Sequence, residues 1–452
     1  MNGNGNYTEN NSFPAGEGTP RPSQVGKAKS TLNFPWYVSL VAIILAALIT
    51  FMATYSVMYV KFTFERNNTA IENGSGLLYD KKVLDALQMI YEEYYIGDIG
   101  GMNPENYLYF NSENIKNFDK ETVTDVLASL YVAWTGDKYG AYYSPSSMDE
   151  LENFFAGETV GIGVMITYDA ENHILEVLYA MDDSPAQQAG IQSGDIIVGV
   201  GDKRVKDLTY EEVVNDIKGE EGSKVSVTVL RDGTEHTYEM TRRAVVINTV
   251  FHRMAPDNKT GIIKITEFTN ETPAQFKKAV DALEKEGAEK LVFDLRDNGG
   301  GTLDGVMGVL SYILPKSTPL IKVVDKQGNA SFDYADDEHV IKLPMAVLVN
   351  EYTASAAELF TINMRDHEIA TVVGTTTYGK GVMQAHFNLP NGGMVKVTYK
   401  WYSSALSENY DGVGITPHVV QEMDPEFANT NLFKIADEDD NQLQKALEIL
   451  NK

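Results

Sequence analysis

The sequence predicts a chain of α/β plus β class, with helical segments at both ends of its folded part and a single N-terminal membrane helix. Three observations predict this. Residues 36–59 form an uncharged apolar run, residues 155–243 read as short strands with turn signals, and residues 244–425 alternate strands with helices. The 452 residues exceed what one hydrophobic core usually supports, so two or three folded units are expected. Apolar residues make up 43% of the chain and charged residues 22%, a globular composition with material for a sizeable core.

The anchor comes first. Between Lys29 and Lys61 there is no charged residue, and WYVSLVAIILAALITFMATYSVMY is long enough to cross the hydrocarbon layer. Trp36 and Tyr37 at one end, and Tyr55 and Tyr59 at the other, suit the two interfaces. A buried core helix fits poorly, because Gly, Asn, Ser and Pro flank the run. A cleaved signal fits poorly too, because the run is long and no small-x-small site follows. The expectation is a disordered tail over 1–33, a membrane helix over 34–60 and a linker over 61–76. The slight excess of Arg21, Lys27 and Lys29 before the helix places the N-terminus in the cytoplasm and the rest of the chain outside it, at the cell membrane.

Residues 77–154 are helical in pattern. Val83, Leu84, Leu87 and Ile90 recur at three and four, as do Val123, Val126, Leu127, Leu130 and Tyr131, before GDKYGAYYSP breaks the period. Over 155–243, strands are expected at 174–178, 195–200, 224–231 and 236–240, with Asp232-Gly233 as a hairpin turn. A short helix runs from Ser184 to Gly190, and Thr209 with Glu212 forms the capping box of a second helix. Over 244–425, strands at 261–268, 290–296 and 344–350 alternate with helices at 272–286 and 354–365, which points to parallel βαβ units. The segment 426–452 closes with a helix over 440–450.

Composition narrows the chemistry. A net charge of −27 argues against a nucleic-acid partner, which would need clustered Lys and Arg. The absence of cysteine excludes disulfides, thiolate catalysis and cysteine-ligated metal. Neither a metal nor another cofactor is expected. Ser355, in VLVNEYTASAAELF, sits where a buried strand turns into a helix, so its hydroxyl lies at a helix N-terminus that favours developing negative charge. A plain N-cap serine has the same pattern. The seven histidines stand singly, whereas Lys380, at the mouth of the alternating strand VMQAHFNL, becomes a base if burial disfavours its charge. A rival reading takes GTTTYGK (374–380) as a phosphate-binding loop. Gly381 stands where that motif needs Ser or Thr, and a strand pattern follows where a helix should open.

These motifs, taken together, resemble the carboxy-terminal processing peptidases, also called tail-specific proteases. TASAAELF matches the family's serine and VGTTTYGKGVMQ its lysine and glutamine: Lys380 stands 25 residues after Ser355, and Gln384 four after Lys380. DKYGAYYSP, GIGV, SPAQQAGIQSGDIIVGVGDKRV, DLRDNGGG and GVGITPHV follow the family's order, so the resemblance covers about residues 80 to 450. Gly299 stands where proline is common, SSALSEN replaces a proline-glycine turn, and His418 stands where aspartate is usual.

The resemblance implies a serine endopeptidase with a PDZ-like module inserted ahead of an α/β protease core. Ser355 would be the nucleophile, Lys380 the general base and Gln384, counted two pleats from Lys380 on the same face, its orienting partner. The backbone amides of Gly300 and Ala356 would hold the oxyanion. Gly161, Ile162, Gly163 and Val164 would form the loop that catches a peptide carboxylate. The implied partners are proteins with free apolar C-terminal tails, and self-association stays open.

Overall fold

A computed structural model of the chain describes residues 72–73, 76–77, 79–99, 119–148, 158–169, 172–428 and 430–452. The predicted tail and the predicted membrane helix lie outside the described residues. Among the described residues no helix is long and apolar enough to cross a membrane. All described elements belong to one compact unit, Ile71–Lys452. At its start β1 (Glu72–Asn73) and β2 (Gly76–Leu77) pair antiparallel within the stretch read as linker.

Helices α1 (Lys81–Tyr94) and α2 (Lys120–Trp134) start at Asp80 and Asp119, whose carboxylates accept from the amides of Lys82 and Thr122. Their shared face buries Leu87, Tyr91, Leu127 and Tyr131. Val126 and Leu130, read as part of that face, are instead exposed: the buried face is turned toward Thr124, Ala128 and Val132, which leaves Val126 and Leu130 at its solvent edge. After this pair comes the short strand β3 (Ala141–Tyr143).

The β module begins at β4 (Glu158–Gly161) and continues with β5 (Val164–Asp169), β6 (Ile174–Ala180), α3 (Pro185–Ala189), β7 (Ile196–Val200), β8 (Lys203–Arg204), α4 (Tyr210–Ile217), β9 (Lys224–Arg231) and β10 (Thr234–Thr241). It ends in β11 (Arg243–Val246). The antiparallel order is β10-β9-β7-β6-β5, with β8 paired to β7, so β5 is an edge. Asp232 (φ 50°) and Gly233 (φ 77°) make the predicted hairpin turn, and the Thr209–Glu212 capping box is present. Incoming β4 pairs with outgoing β11, Gly161 opposite Arg243, so the module leaves and rejoins the core on two adjacent strands.

The α/β core runs through β12 (Val250–Met254), β13 (Thr260–Ile265), α5 (Thr272–Glu286), β14 (Lys290–Asp294), α6 (Leu303–Ile313), β15 (Pro319–Asp325), β16 (Ala330–Tyr334), β17 (Met345–Val349), α7 (Ala356–Asp366), β18 (Ala370–Gly374), β19 (Val382–Asn388), β20 (Met394–Ser403), β21 (Val419–Val420) and α8 (Asn441–Leu450). One sheet has the order β12-β13-β14-β17-β18-β21, parallel except for β12. Phe276, Val309 and Phe360, from α5, α6 and α7, cover one face, and Leu443 and Leu447 of α8 cover the other beside Val292 and Leu348. Strand β17 is buried along its whole length, as a central parallel strand should be.

The sequence reading extended two strands too far. They stop at Ile265 and Asp294, where the chain turns toward the site, and the helix read from Ala354 begins at Ala356. It also did not foresee the second sheet, β16-β15-β20-β19, with β3 on β20. Helices α1 and α2 pack on this sheet through Leu389, Val395 and Val397, so the N-terminal helical part belongs to the core.

Arg296 ties the C-terminal helix to the parallel sheet. Only 3% of the residue is exposed, and its guanidinium donates to both oxygens of Asp294 (2.9 and 2.8 Å), to both of Asp440 (2.9 and 2.7 Å) and to Gln442 Oε1 (3.0 Å). These charge-assisted bonds hold the Asp294 carboxyl well below the usual carboxylate range despite burial. Removing the guanidinium leaves buried Asp440 without its cation and Asp294 with only the longer contact to Lys264 Nζ at 3.4 Å. Arg296→Ala is therefore expected to cost about 3–5 kcal/mol, measured by chemical unfolding.

Candidate active site

Ser355 closes the turn between buried β17 and α7. Its backbone has φ 55° and ψ −119°, a conformation an L-residue adopts only when its surroundings impose it. Asn350 and Thr353 brace the turn: Thr353 Oγ1 donates to the Leu295 carbonyl at 2.8 Å, and Asn350 Oδ1 accepts the Asp297 N–H at 3.0 Å. The Ser355 hydroxyl is half-buried and lies 3.5 Å from the Tyr402 hydroxyl. Ser355 is also the N-cap residue of α7, as the capping alternative expected: its carbonyl accepts the Glu358 N–H at 2.9 Å and the Leu359 N–H at 3.0 Å.

Glu358 organises the site and went unrecognised in the sequence reading. It is fully buried (0% exposed), and its carboxylate accepts from four donors: Ser355 N–H (2.8 Å), Lys380 N–H (2.8 Å), Gly379 N–H (2.7 Å) and Thr377 Oγ1 (2.5 Å). One side chain thus fixes both the serine turn and the lysine turn. A signal for half of this was present, since Ser-x-x-Glu is a capping-box spacing.

Lys380 leaves a turn packed tightly on the segment 412–414, where a Cβ on Gly379 would come within 2.7 Å of the Gly414 nitrogen. Its side chain is half-buried, with Nζ 4.6 Å from the centroid of the Tyr139 ring. Burial, and then repulsion from Lys396, hold its pKa below that of an ordinary lysine, against the opposing pull of Glu358, Asp137 and Asp411. Tyr139 is placed by Asp137, which accepts from the amides of Tyr139 (3.1 Å) and Thr398 (2.8 Å) and from Thr398 Oγ1 (2.7 Å). The motif DKYG therefore delivers an aromatic ring to the lysine. The Tyr402 hydroxyl donates to the Lys380 carbonyl at 3.0 Å, which links serine and lysine a second time.

Ser355, Ala356, Gly300, Lys380 and Gln384 all line one cavity of about 640 Å³. Two details differ from expectation. Strand β19 begins at Val382, after Lys380, and its register shifts between Met383 and Gln384, so the pleat count from Lys380 fails. Gln384 donates weakly to Thr398 Oγ1 at 3.3 Å. Gly300 does lie against the serine: a Cβ there would sit 2.7 Å from Ser355 Cβ and 2.9 Å from the Ala356 nitrogen, and its φ is 108°. Its N–H, however, donates to Asn298 Oδ1 at 2.8 Å. The Ala356 N–H, in the first turn of α7, meets no acceptor among the described residues and faces the cavity.

The expected carboxylate loop lies at the start of the edge strand β5. Gly161 ends β4, Ile162 is buried in the module core, Gly163 turns at φ 73° and Val164 begins β5. The Ile162 and Gly163 carbonyls accept from Ala186 and Met181, while their own N–H groups make no hydrogen bond among the described residues. Across from β5, Tyr210 at the start of α4 stacks on Tyr168 with centroids 5.5 Å apart.

The phosphate-loop alternative fails on its amides. In the segment 375–381 the N–H groups of Thr375, Thr377, Tyr378, Gly379, Lys380 and Gly381 donate to protein acceptors, which leaves none of them for a phosphate. His418, where an aspartate was expected, accepts the Val372 N–H on Nδ1 at 3.0 Å. Among the described residues no group of three or more His, Cys, Asp or Glu side chains is placed to hold a metal ion.

Comparison with known proteins agrees with this geometry. Residues 259–421 match the profile of Peptidase family S41, and residues 176–231 match a PDZ domain. The chain is 31% identical over 336 residues to a carboxyl-terminal-processing protease of Picosynechococcus sp., covering 74% of this chain and 79% of that protein. It is 30% identical over 343 residues to a CtpA-like serine protease of Staphylococcus aureus, covering 74% and 68%. A solved Bacteroides fragilis structure assigned to the S41 proteases superimposes with a TM-score of 0.54 at 16% identity over 81% of this chain and 97% of that one, a likeness of fold.

Two outcomes follow from the cavity's construction. Glu358→Gln turns an amide NH2 toward protein donors, and is expected to cost roughly 1–3 kcal/mol in chemical unfolding. Lys396→Met removes a repulsion, so the Lys380 ammonium should titrate at higher pH than in the wild type, as read by NMR of labelled lysine.

Proposed function

Because this chain belongs to peptidase family S41, as a carboxyl-terminal-processing serine protease with a PDZ domain, we propose that Ser355 is its nucleophile and Lys380 its general base. The observation that carries this reading is that a serine held at φ 55° and a half-buried lysine with depressed pKa open into one cavity, their backbones joined through Glu358.

Neutral Lys380 moves from the Tyr139 ring to take the Ser355 proton as Oγ attacks the peptide carbonyl. The Ala356 N–H, at the N-terminus of α7, stabilises the oxyanion, and an amide of the glycine turn completes the hole. Lys380 then returns the proton to the leaving amine, and water cleaves the acyl-enzyme by the reverse sequence. Gln384 orients the lysine amine only by giving up its weak contact with Thr398. Substrates are proteins with free apolar C-termini, whose last residues add as a strand along β5 while the Ile162 and Gly163 amides take the carboxylate. The apolar run at 34–60 holds the enzyme in the cell membrane, with the catalytic unit and its substrates outside the cytoplasm.

Cleavage of an unfolded protein with an apolar tail, followed by mass spectrometry, tests the chemistry. Ser355→Ala and Lys380→Ala should each lower kcat by at least about 10³-fold, with tail binding retained by Ser355→Ala. Protonation removes the base, so kcat/KM should rise with pH and fall away as acid charges Lys380. A flat acid limb, or full activity in Lys380→Ala, excludes the lysine. Deleting residues 1–60 should release the enzyme from the membrane fraction without loss of turnover.

A further inference from the structure

We propose that Lys396, with His386 and Tyr143 beside it, forms an anion subsite in the catalytic cavity that takes a carboxylate of the substrate peptide about two residues from the bond to be cut. The proposal rests on the reading of Ser355 and Lys380 given above.

All three residues line the cavity that holds Ser355 and Lys380. The sheet places them together: His386 on β19 faces Lys396 on β20 in register, and β3, which carries Tyr143, pairs with β20 on its other side. The Lys396 Nζ lies 5.8 Å from the Tyr143 ring centroid. Past the irregularity at Met383, Gln384 and His386 share one face of β19, and two residues of strand span roughly 7 Å. An extended substrate chain covers that distance in about two residues.

Lys396 is half-buried and has no carboxylate within ion-pair distance among the described residues. Its ammonium therefore stands open to an anionic partner that enters the cavity. What distinguishes Lys396 is its place, on the wall of the cavity that also holds Ser355 and Lys380. On the wall made with the glycine turn stands Glu267, whose carboxylate makes no hydrogen bond among the described residues. The cavity is therefore polarised, with cations on the β19–β20 wall and an acid on the glycine-turn wall. A peptide carboxylate gains on the first and is repelled at the second, which fixes the direction in which the chain lies. With the backbone amides of the lysine turn already committed, a single ammonium flanked by an imidazole and a phenol suits one carboxylate rather than a phosphate group.

The carboxylate comes either from an Asp or Glu side chain or from the substrate's own terminus, and binding to the full-length Ser355→Ala protein separates the two. Fluorescent peptides with an apolar tail carry Glu or Gln at successive positions, and a second set ends in a carboxylate or an amide. At one position Glu should bind about tenfold more tightly than Gln, with the ratio falling to about one in Ser355→Ala/Lys396→Met and inverting in favour of Gln in Ser355→Ala/Lys396→Glu. The same loss confined to the carboxylate–amide pair assigns the subsite to the terminus. Ratios unchanged by both Lys396 substitutions, in proteins whose circular dichroism matches the parent, overturn the proposal. Absence of cleavage by the wild type would instead overturn the Ser355–Lys380 reading and leave these ratios standing.

Discussion

The buried carboxylate of Glu358 is the constraint on which the rest of the site depends. Two turns from different parts of the chain, one ending β17 and one following β18, converge on it with three backbone N–H groups and one hydroxyl. A carboxylate only accepts, so it satisfies all four, and in doing so it fixes the distance between the backbone of Ser355 and that of Lys380. The lysine side chain extends from this fixed turn, with its Nζ over the Tyr139 ring. The backbone of the turn is pinned while the amine stands at the end of a four-carbon stem with rotatable bonds, a geometry that suits the proton transfer proposed for it.

The parallel sheet supplies the frame for these turns. Its fully buried strand β17 ends at the serine turn, β14 ends at the glycine turn, and β18 ends at the lysine turn, so three neighbouring strands deliver their C-terminal ends to one place. The Arg296 cluster holds α8 to the same sheet beneath these turns. The antiparallel sheet closes the cavity from the other side with β19 and β20. Helices α1 and α2 reach the site only through the loop that Asp137 pins to Thr398, which explains how a segment far upstream in sequence furnishes the ring beneath the base.

Much of this was readable in advance, for identifiable reasons. Ser355 and Lys380 sit in short motifs whose spacing is set by one helix, α7, one strand, β18, and their turns, and the Thr209–Glu212 capping box and the Asp232-Gly233 turn are local chemistry that needs no tertiary context. Gln384 shows where local reasoning stops: counting pleats from Lys380 assumes an unbroken strand, and the register shift at Met383 is decided by pairing with β20. The hydrogen bond from the Gly300 amide to Asn298 Oδ1 was not foreseen, because this pairing is visible only once the turn is folded. Val126 and Leu130 were misread because an apolar period alone does not say which side of a helix meets the sheet. Lys396 carries no sequence signal at all, since a lysine in an alternating strand ordinarily faces water.

The pairing of β4 with β11 bears on how the chain finds this structure. Core strand β3 must meet β20, Ala141 beside Lys396, across a long intervening stretch, and such distant closures ordinarily slow folding. The β module has its own buried cluster and begins and ends on adjacent strands, so once it has formed it acts as a short bridge in the path between them. A recognition element inserted in the middle of an enzyme thereby shortens the search for the enzyme's own long-range contacts. Where the module forms first, the cavity is closed by the contacts most distant in sequence, those of β3 with β20.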